Sequence, residues 1–280
     1  MTRTPHPQRL HGRVSALAPV STSMYKITLE LDGPLDFQPG QFCMLNLDGV
    51  GEMVLSRPFS ILHAVGRRLS LLLKVVGAGT RRLVDAGAGA SVVCLGPLGR
   101  PFPPPAGDLP QLLLAGGVGL PPLLAWHRRW GGDADLALFG ARDGGDVPWD
   151  LLAGGWRCSV DARRDVPDGR TASTGTVIDL ARSLLTDAAA PRRVLACGPV
   201  PLLRAAAELA GERGWECYVS VEERMGCGYG VCRGCVVPRA DGEGWATACQ
   251  DGPVLEAARV DWTRFGRAEA ADGCACAGGG

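Results

Sequence analysis

The sequence has no excess of charge of either sign, with 29 basic against 29 acidic residues over 280 positions. Nothing in that balance points to nucleic acid or an anionic membrane surface as a partner. No apolar run approaches the length of a bilayer span. Met1 to Arg13 is polar and carries proline and histidine but no apolar h-region, so a cytoplasmic protein is expected. The G-x-G-x-x-G fingerprint is absent where a buried strand runs into the glycine turn at Gly116, so a true Rossmann reading is not licensed. The cysteines do not fall into two separated short-gap pairs, the usual arrangement of structural zinc.

What the sequence has is eleven cysteines and forty glycines. In a compartment that keeps thiols reduced, so many cysteines point to metal ligation rather than disulfides. Four of them stand in one stretch between Val219 and Leu255: Cys227, Cys232 and Cys235, then thirteen residues, then Cys249. This is the plant-type ferredoxin order, three thiolates close together and a fourth returning from a distant turn. A [2Fe–2S] rhomb needs two thiolates on each iron and backbone folded tightly over the sulfides. Gly226, Gly228, Gly230 and Gly234 interleave the ligands, and glycine alone lets backbone pass that close with φ free to turn positive. Structural zinc and free thiols remain the alternatives to an iron–sulfur cluster.

The rest of the chain is long enough for two domains ahead of this module. From His11 to Leu98 short runs alternate in period two: Val14 to Ala18, Tyr25 to Leu31, Gln41 to Leu47, Arg68 to Val76 and Ser91 to Gly96. Many strands with Gly/Pro turns and little helix predict a small antiparallel barrel, with a short helix over Thr80 to Ala86. Arg57-Pro58-Phe59-Ser60 reads as a fixed-φ corner presenting a cation, a ring edge and a hydroxyl. Leu72-Leu73-Lys74 runs towards Gly79-Thr80, a glycine turn at a helix start, where free N–H groups favour phosphate.

Pro101 to Pro110 is proline-rich and predicts an extended linker. Beyond it strands and helices alternate, which predicts a parallel, doubly wound sheet. The strands are Gln111 to Ala115, Asp135 to Gly140, Arg157 to Asp161, Arg193 to Cys197 and Glu216 to Val221, the last being read as the final strand. Helices follow at Leu120, Trp149 to Ala153, Thr176 to Leu185 and Val200 to Arg213. Ligands of such sheets lie beyond the carboxyl ends of the strands, where Gly116-Gly117-Val118-Gly119 and Cys197-Gly198-Pro199 fall. Cys197 reads equally well as a small buried residue at a strand end. The architecture expected is therefore multi-domain: an N-terminal antiparallel β-barrel over 10–100, a Rossmann-like parallel α/β domain over 108–218 and a plant-type [2Fe–2S] module over 219–265. The Ala/Gly-rich stretch 266–280, with Cys274 and Cys276, is expected to be disordered.

This order of motifs resembles the ferredoxin–NAD(P) reductase superfamily, and within it the electron-transfer subunits of type B dihydroorotate dehydrogenase. Those end in E-x-R-M-x-C-G-x-G-x-C-x-x-C and C-x-D-G-P-V, read here as Glu222 to Cys235 and Cys249 to Val254. The resemblance covers about residues 10 to 262. It implies FAD in the barrel, with Arg57, Pro58, Phe59 and Ser60 flanking the isoalloxazine and ribityl-phosphate region. Leu72, Leu73 and Lys74 would line the flavin, and Gly79 and Thr80 would hold pyrophosphate. It implies NAD in the second domain, against Gly116 to Gly119 and Cys197 to Pro199, and a [2Fe–2S] cluster on Cys227, Cys232, Cys235 and Cys249. The implied partner is an FMN-bearing dihydroorotate dehydrogenase catalytic subunit in a heterotetramer of two of each, with electrons running from FMN through the cluster and FAD to NAD. Subunits of the same layout serve ferredoxin–NADP reductase, sulfide dehydrogenase, sulfite reductase and hydrogenase. Four cysteine ligands favour the dihydroorotate branch.

Overall fold

The computed structural model describes residues 6–49, 55–152, 154–185, 190 and 192–266. Cys274, Cys276 and all but the first residue of the expected tail lie outside the described residues. The first six strands are β1 (Gln8–Pro19), β2 (Met24–Leu31), β3 (Phe42–Leu47), β4 (Arg57–Val65), β5 (Arg68–Lys74) and β6 (Ser91–Leu98), with α1 (Ala78–Ala86) before the last. They close a barrel in the order β1-β2-β5-β4-β3-β6, every pair antiparallel. Closure removes free edges, and the inward positions fill with aliphatic side chains such as Ile27, Leu29, Leu45, Ile61 and Leu71.

One expectation here needs correcting. Arg57 and Pro58 do not form a corner; they open β4. Arg57 to Ser60 pair with β3, whereas pairing with β5 begins at Ile61. Proline is tolerated where the ladder is one-sided, because no partner waits for its missing N–H. The opening of β4 thus keeps one side clear of its neighbour.

The second unit contains β7 (Gln111–Gly116), α2 (Leu120–Trp130), β8 (Leu136–Ala141), β9 (Trp156–Val160), β10 (Ala172–Thr174), α3 (Val177–Leu184), β11 (Arg193–Cys197), α4 (Val200–Glu212) and β12 (Cys217–Ser220). Residues 149–152 form turns rather than the expected helix, and β10 is a strand the periodicity did not reveal, being three residues long. After β12 come a hairpin of β13 (Val236–Pro238) and β14 (Trp245–Thr247) and then β15 (Val254–Glu256), the last strand among the described residues. The sheet order is β10-β9-β8-β7-β11-β12-β15. It is parallel except for β15, which pairs antiparallel with β12. β12 is therefore not the last strand: the four-cysteine module feeds its own final strand back into the sheet.

Both faces of the sheet are covered, as parallel sheets require. Leu112 and Leu114 of β7 face the layer of α3 and α4, whereas Leu113 and Ala115 face the layer of α2. α3 starts from a capping box in which Thr176 Oγ1 accepts from Asp179 N at 3.1 Å and Asp179 Oδ2 accepts from Thr176 N at 2.9 Å. The proline-rich 101–110 is packed rather than loose. Phe102 is fully buried, its N–H donates to Pro39 O at 2.8 Å, and Trp126 Nε1 donates to Pro103 O at 2.9 Å.

A polar latch ties barrel to sheet. Thr22, in the β1–β2 turn, donates from Oγ1 to Asp146 Oδ1 at 3.0 Å and from its backbone N to Gly145 O at 2.9 Å. Arg142 holds the other carboxylate oxygen through Nε at 3.2 Å and Nη2 at 3.0 Å. Burial pushes the Asp146 carboxyl up, but hydrogen bonds from Ser23, Arg142 and Thr22 and the charge of Lys74 outweigh it and hold it below the usual range. A depressed folded-state value means stability present above the unfolded value of about 3.9 and lost as pH falls through the lower folded one. Asp146→Asn is thus expected to cost about 1.5–3 kcal/mol at neutral pH, the size of a charged hydrogen bond. The gap from wild type should be constant above about pH 5 and close below about pH 4, as read by urea denaturation across pH.

Candidate functional site

Two sites adjoin. The first is a cavity of about 820 Å³ between barrel and sheet, within the range of small-molecule sites. The clear side of β4 forms one wall, with Arg57, Pro58, Phe59 and Ser60, joined by Leu72, Leu73 and Lys74 at the end of β5. Gly116 to Gly119 and Cys197 to Pro199, from the carboxyl ends of β7 and β11, form the opposite wall. Residues far apart in sequence, singled out for separate reasons, thus share one cavity. Thr80 also lines it, but Gly79 does not: it lies beneath Arg57, where an added Cβ would sit 2.8 Å from Nε. Thr80 Oγ1 accepts from Val76 N at 3.1 Å and Gly77 N at 3.3 Å, so its hydroxyl shapes the turn at the start of α1.

The far wall depends on glycine for a steric reason. A Cβ on Gly119 would lie 2.2 Å from the carbonyl oxygen of Cys197, and one on Gly198 would lie 3.2 Å from the Gly116 backbone. The two strand ends run in van der Waals contact, backbone against backbone. Burial pushes the Cys197 thiol up to about 12 despite a hydrogen bond with Ser220 that works the other way. It is a neutral group at physiological pH, not a nucleophile.

Sequence reasoning missed part of the lining: Arg142, Ser159, Asp161, Glu222 and Met225. The first three follow the rule already applied to Gly116 and Cys197, since they stand at or just past the carboxyl ends of β8 and β9. Ser159 is 1 % exposed and its Oγ has no hydrogen-bond partner among the described residues. A buried hydroxyl left so faces a ligand or water.

The second site is the four-cysteine loop. The thirteen-residue gap closes because β13 and β14 pair antiparallel, Val236 opposite Thr247, which returns the chain to its start. Ala248 N donates to Cys235 O at 2.8 Å, setting Cys249 beside Cys235. The four thiols come as two neighbouring pairs: Cys235 and Cys249 share a hydrogen bond, and Cys227 accepts one from Cys232. Among the described residues no group of three or more His, Cys, Asp or Glu side chains closes around a single ion. Two pairs suit a dinuclear cluster, two thiolates to each iron, better than one tetrahedral zinc. Backbone amides are aimed at the sulfurs, Gly230 N at Cys249 Sγ (3.2 Å) and Cys232 N at Cys227 Sγ (3.4 Å). The donor set therefore fits an iron–sulfur cluster.

The environments of the ligands differ. Burial raises Cys227, but the amides of Cys232, Tyr229 and Val231 and the Cys232 thiol outweigh it and hold it at about 7. Cys249 is pushed up to about 12 by burial and by its bond to Cys235, so it must shed a proton on ligating metal. Cys235 and Cys249 are buried, whereas Cys232 is exposed and so are Tyr229 and Val231 beside it. The loop thus reaches the surface around Tyr229 to Cys232. It also meets the cavity, whose wall includes Met225, two residues before Cys227, and Pro253, four after Cys249.

The chain is similar to known proteins along most of its length. Residues 222–261 match the family model of the iron–sulfur cluster binding domain of dihydroorotate dehydrogenase B. The chain is 32% identical over 262 residues to the electron transfer subunit of dihydroorotate dehydrogenase B (NAD(+)) of Bacillus velezensis, covering 90% of this chain and 99% of that one. It is 35% identical over 237 residues to the corresponding Bacillus caldolyticus subunit, covering 80% and 86%. Among solved structures it resembles an NADH-dependent reduced ferredoxin–NADP oxidoreductase, with a TM-score of 0.75 at 22% identity over 95% of this chain and 93% of that one. A ferredoxin reductase of carbazole 1,9a-dioxygenase aligns with a TM-score of 0.67 at 19% identity, over 76% and 68%. These structural likenesses speak to fold.

Gly119→Ala tests the tight strand crossing. The methyl group has no room against the Cys197 carbonyl, so the wall must open. Retention of the chain on an immobilised adenine-nucleotide resin should fall by about tenfold or more, an effect of about 1.4 kcal/mol, while the far-ultraviolet circular dichroism stays that of the wild type.

Proposed function

The chain belongs to the family of dihydroorotate dehydrogenase B electron transfer subunits, and we propose from that membership that it carries electrons between an FMN-bearing dihydroorotate-oxidising subunit and NAD in pyrimidine biosynthesis. The observation that carries the reading is the adjacency just described: a two-walled cavity and a four-cysteine loop share Met225 and Pro253.

FAD lies against Arg57 to Ser60 and Leu72 to Lys74 in this reading, with its phosphates towards Thr80 and the start of α1. NAD enters from the sheet side, over Gly116 to Gly119 and Cys197 to Pro199, with Ser159 and Asp161 within the same cavity. Cys227, Cys232, Cys235 and Cys249 ligate the [2Fe–2S] cluster. The working units are 10–100 for flavin, 108–218 for NAD and 219–265 for the cluster. Two such chains with two catalytic subunits form a cytoplasmic heterotetramer. Among the described residues no helix is long and apolar enough to cross a membrane.

A flavin bound here supplies the conversion between two-electron hydride chemistry and the one-electron chemistry of iron and sulfur. The protein's own part is position and environment. The apolar walls, Phe42, Leu72, Leu73, Val177 and Leu202 among them, would exclude water from a flavin and a nicotinamide bound in the cavity. The Cys197 thiol, kept neutral by burial, would line that space without competing for hydride. Arg57 donates through Nη1 to Leu55 O at 2.7 Å and lies over Gly79, which leaves the rest of its guanidinium for an anionic group near the start of α1.

Two variants examine the two sites separately. Arg57→Ala should lose flavin on dialysis, with affinity falling by about 1.5–3 kcal/mol, the size of a charge-assisted hydrogen bond, while the thermal midpoint of the apoprotein stays close to wild type. Wild-type flavin stoichiometry after dialysis would count against the assignment. Cys249→Ser should keep flavin and keep its reduction by NADH in the stopped flow. Dihydroorotate:NAD turnover of the assembled complex should fall to background, because a serine oxygen replaces a thiolate on iron poorly. Turnover at the wild-type rate without cluster absorbance would refute the relay.

A further inference from the structure

Strand β3 serves two cores at once. Cys43 and Leu45 point into the barrel, whereas Phe42 and Met44 belong to the hydrophobic core that also holds Cys235, Cys249, Val221 and Val237. Met44 is 2% exposed. On its far side lies Gly228, the residue after Cys227, at a φ of +82°. A Cβ on Gly228 would stand 2.5 Å from Met44 Cγ and 2.7 Å from Met44 Sδ, so the loop backbone rests directly on the thioether. On its near side Met44 pairs across the ladder with Pro58, and Pro58 and Phe42 both line the large cavity. One side chain thus abuts the backbone next to a cluster ligand, from a backbone position paired with the cavity wall.

We propose that Met44 is a positioning residue for electron transfer between the cluster and the flavin, holding the ligand loop against the flavin wall and keeping the gap between them filled and dry. This deepens the functional reading above and rests on it. Tunnelling between two redox groups falls off more steeply through an empty or hydrated gap than through packed atoms. Methionine suits such a seam: it is unbranched, polarizable and fills irregular space. The electron balance makes the contact count twice. A [2Fe–2S] cluster would pass one electron at a time, whereas NAD takes a hydride. In the working direction two electrons would therefore cross this seam singly, from the partner's flavin by way of the cluster to FAD, which would take one proton from solvent and give the hydride to NAD; added NADH drives the same path in reverse.

The test uses the full chain loaded with flavin and iron, mixed anaerobically with NADH in the stopped flow. Two variants are compared with wild type: Met44→Ala, and Met44→Val, whose β-branched side chain suits the strand and keeps a γ carbon but removes the thioether and its methyl group from the contact with Gly228. Flavin bleaching should keep the wild-type rate in both. Cluster bleaching should slow by about tenfold or more in Met44→Ala, as misplacements of about 1 Å do elsewhere, and by less in Met44→Val. The electron paramagnetic resonance spectrum of the dithionite-reduced cluster should shift in both, with flavin and iron stoichiometry unchanged. A Met44→Ala chain that holds both groups and reduces its cluster at the wild-type rate overturns the proposal. If that variant fails to load, Met44→Val decides: a wild-type rate of cluster reduction overturns the proposal, a slowed rate upholds it. A wild-type chain lacking flavin or two-iron absorbance would instead overturn the functional reading, and this inference with it.

Discussion

The antiparallel pairing of β15 with β12 is the constraint on which the two sites depend. Val254 to Glu256 have no hydrophobic run of their own to speak of, yet they add the last rung to a parallel sheet. That pairing fixes where the chain must come back to after the four-cysteine loop. Val221 N donates to Pro253 O at 2.9 Å and Arg100 N to Gly252 O at 2.6 Å, which ties the return to both the sheet and the end of the barrel. With the return anchored, Cys249 arrives next to Cys235 and Pro253 takes its place on the cavity wall. A strand of three residues thereby sets the relation of one site to the other.

Much of this was legible in the residues because local chemistry demanded it. Thiolates that must wrap a small inorganic core leave a spacing and a scatter of glycines that few other tasks produce. Strand ends that meet backbone to backbone leave glycines at Gly116, Gly119 and Gly198, and period-two runs mark five of the six barrel strands, all but β4. What was hidden was hidden for physical reasons. The opening of β4 looked like a corner because proline rarely sits in a ladder, and only the one-sided pairing at Arg57 to Ser60 explains it. β10 and β15 are too short to show a period. Ser159 and Asp161 carry no motif; their place on the cavity wall comes from the strand that carries them. Met44 reads as one more apolar residue in a strand until Gly228 is found against it.

The joint between barrel and sheet uses two kinds of contact. Phe102 drives an aromatic ring into the core beneath α2, a burial that does not respond to pH. Asp146 forms a charged latch to Thr22 and Arg142 and also lines the cavity. The carboxylate is held ionised by its donors, and Arg142, which holds it, lines the same cavity, so the latch sets an ion pair on that wall rather than a lone negative charge.

The cysteines show how little the residue type decides alone. Eleven are present, and nine lie among the described residues. Five of those, Cys43, Cys94, Cys158, Cys197 and Cys217, sit in strands. Cys43 is raised well above the ordinary thiol value by its hydrogen bond with Cys94 and by burial; burial alone pushes Cys217 up to about 12 and is the main cause for Cys158, at about 11. Those thiols behave as small hydrophobes. In the loop the same side chain meets aimed amides, and at Cys227 these overcome the burial penalty. The difference lies in the backbone: a strand spends its N–H groups on the neighbouring strand, whereas a glycine-rich loop has them to give. Gly228 and Gly230, at φ of +82° and +88°, turn the chain so that amides of the loop face sulfur. Iron is held where the backbone has been freed from the sheet, and that freedom is what the glycines between the cysteines provide.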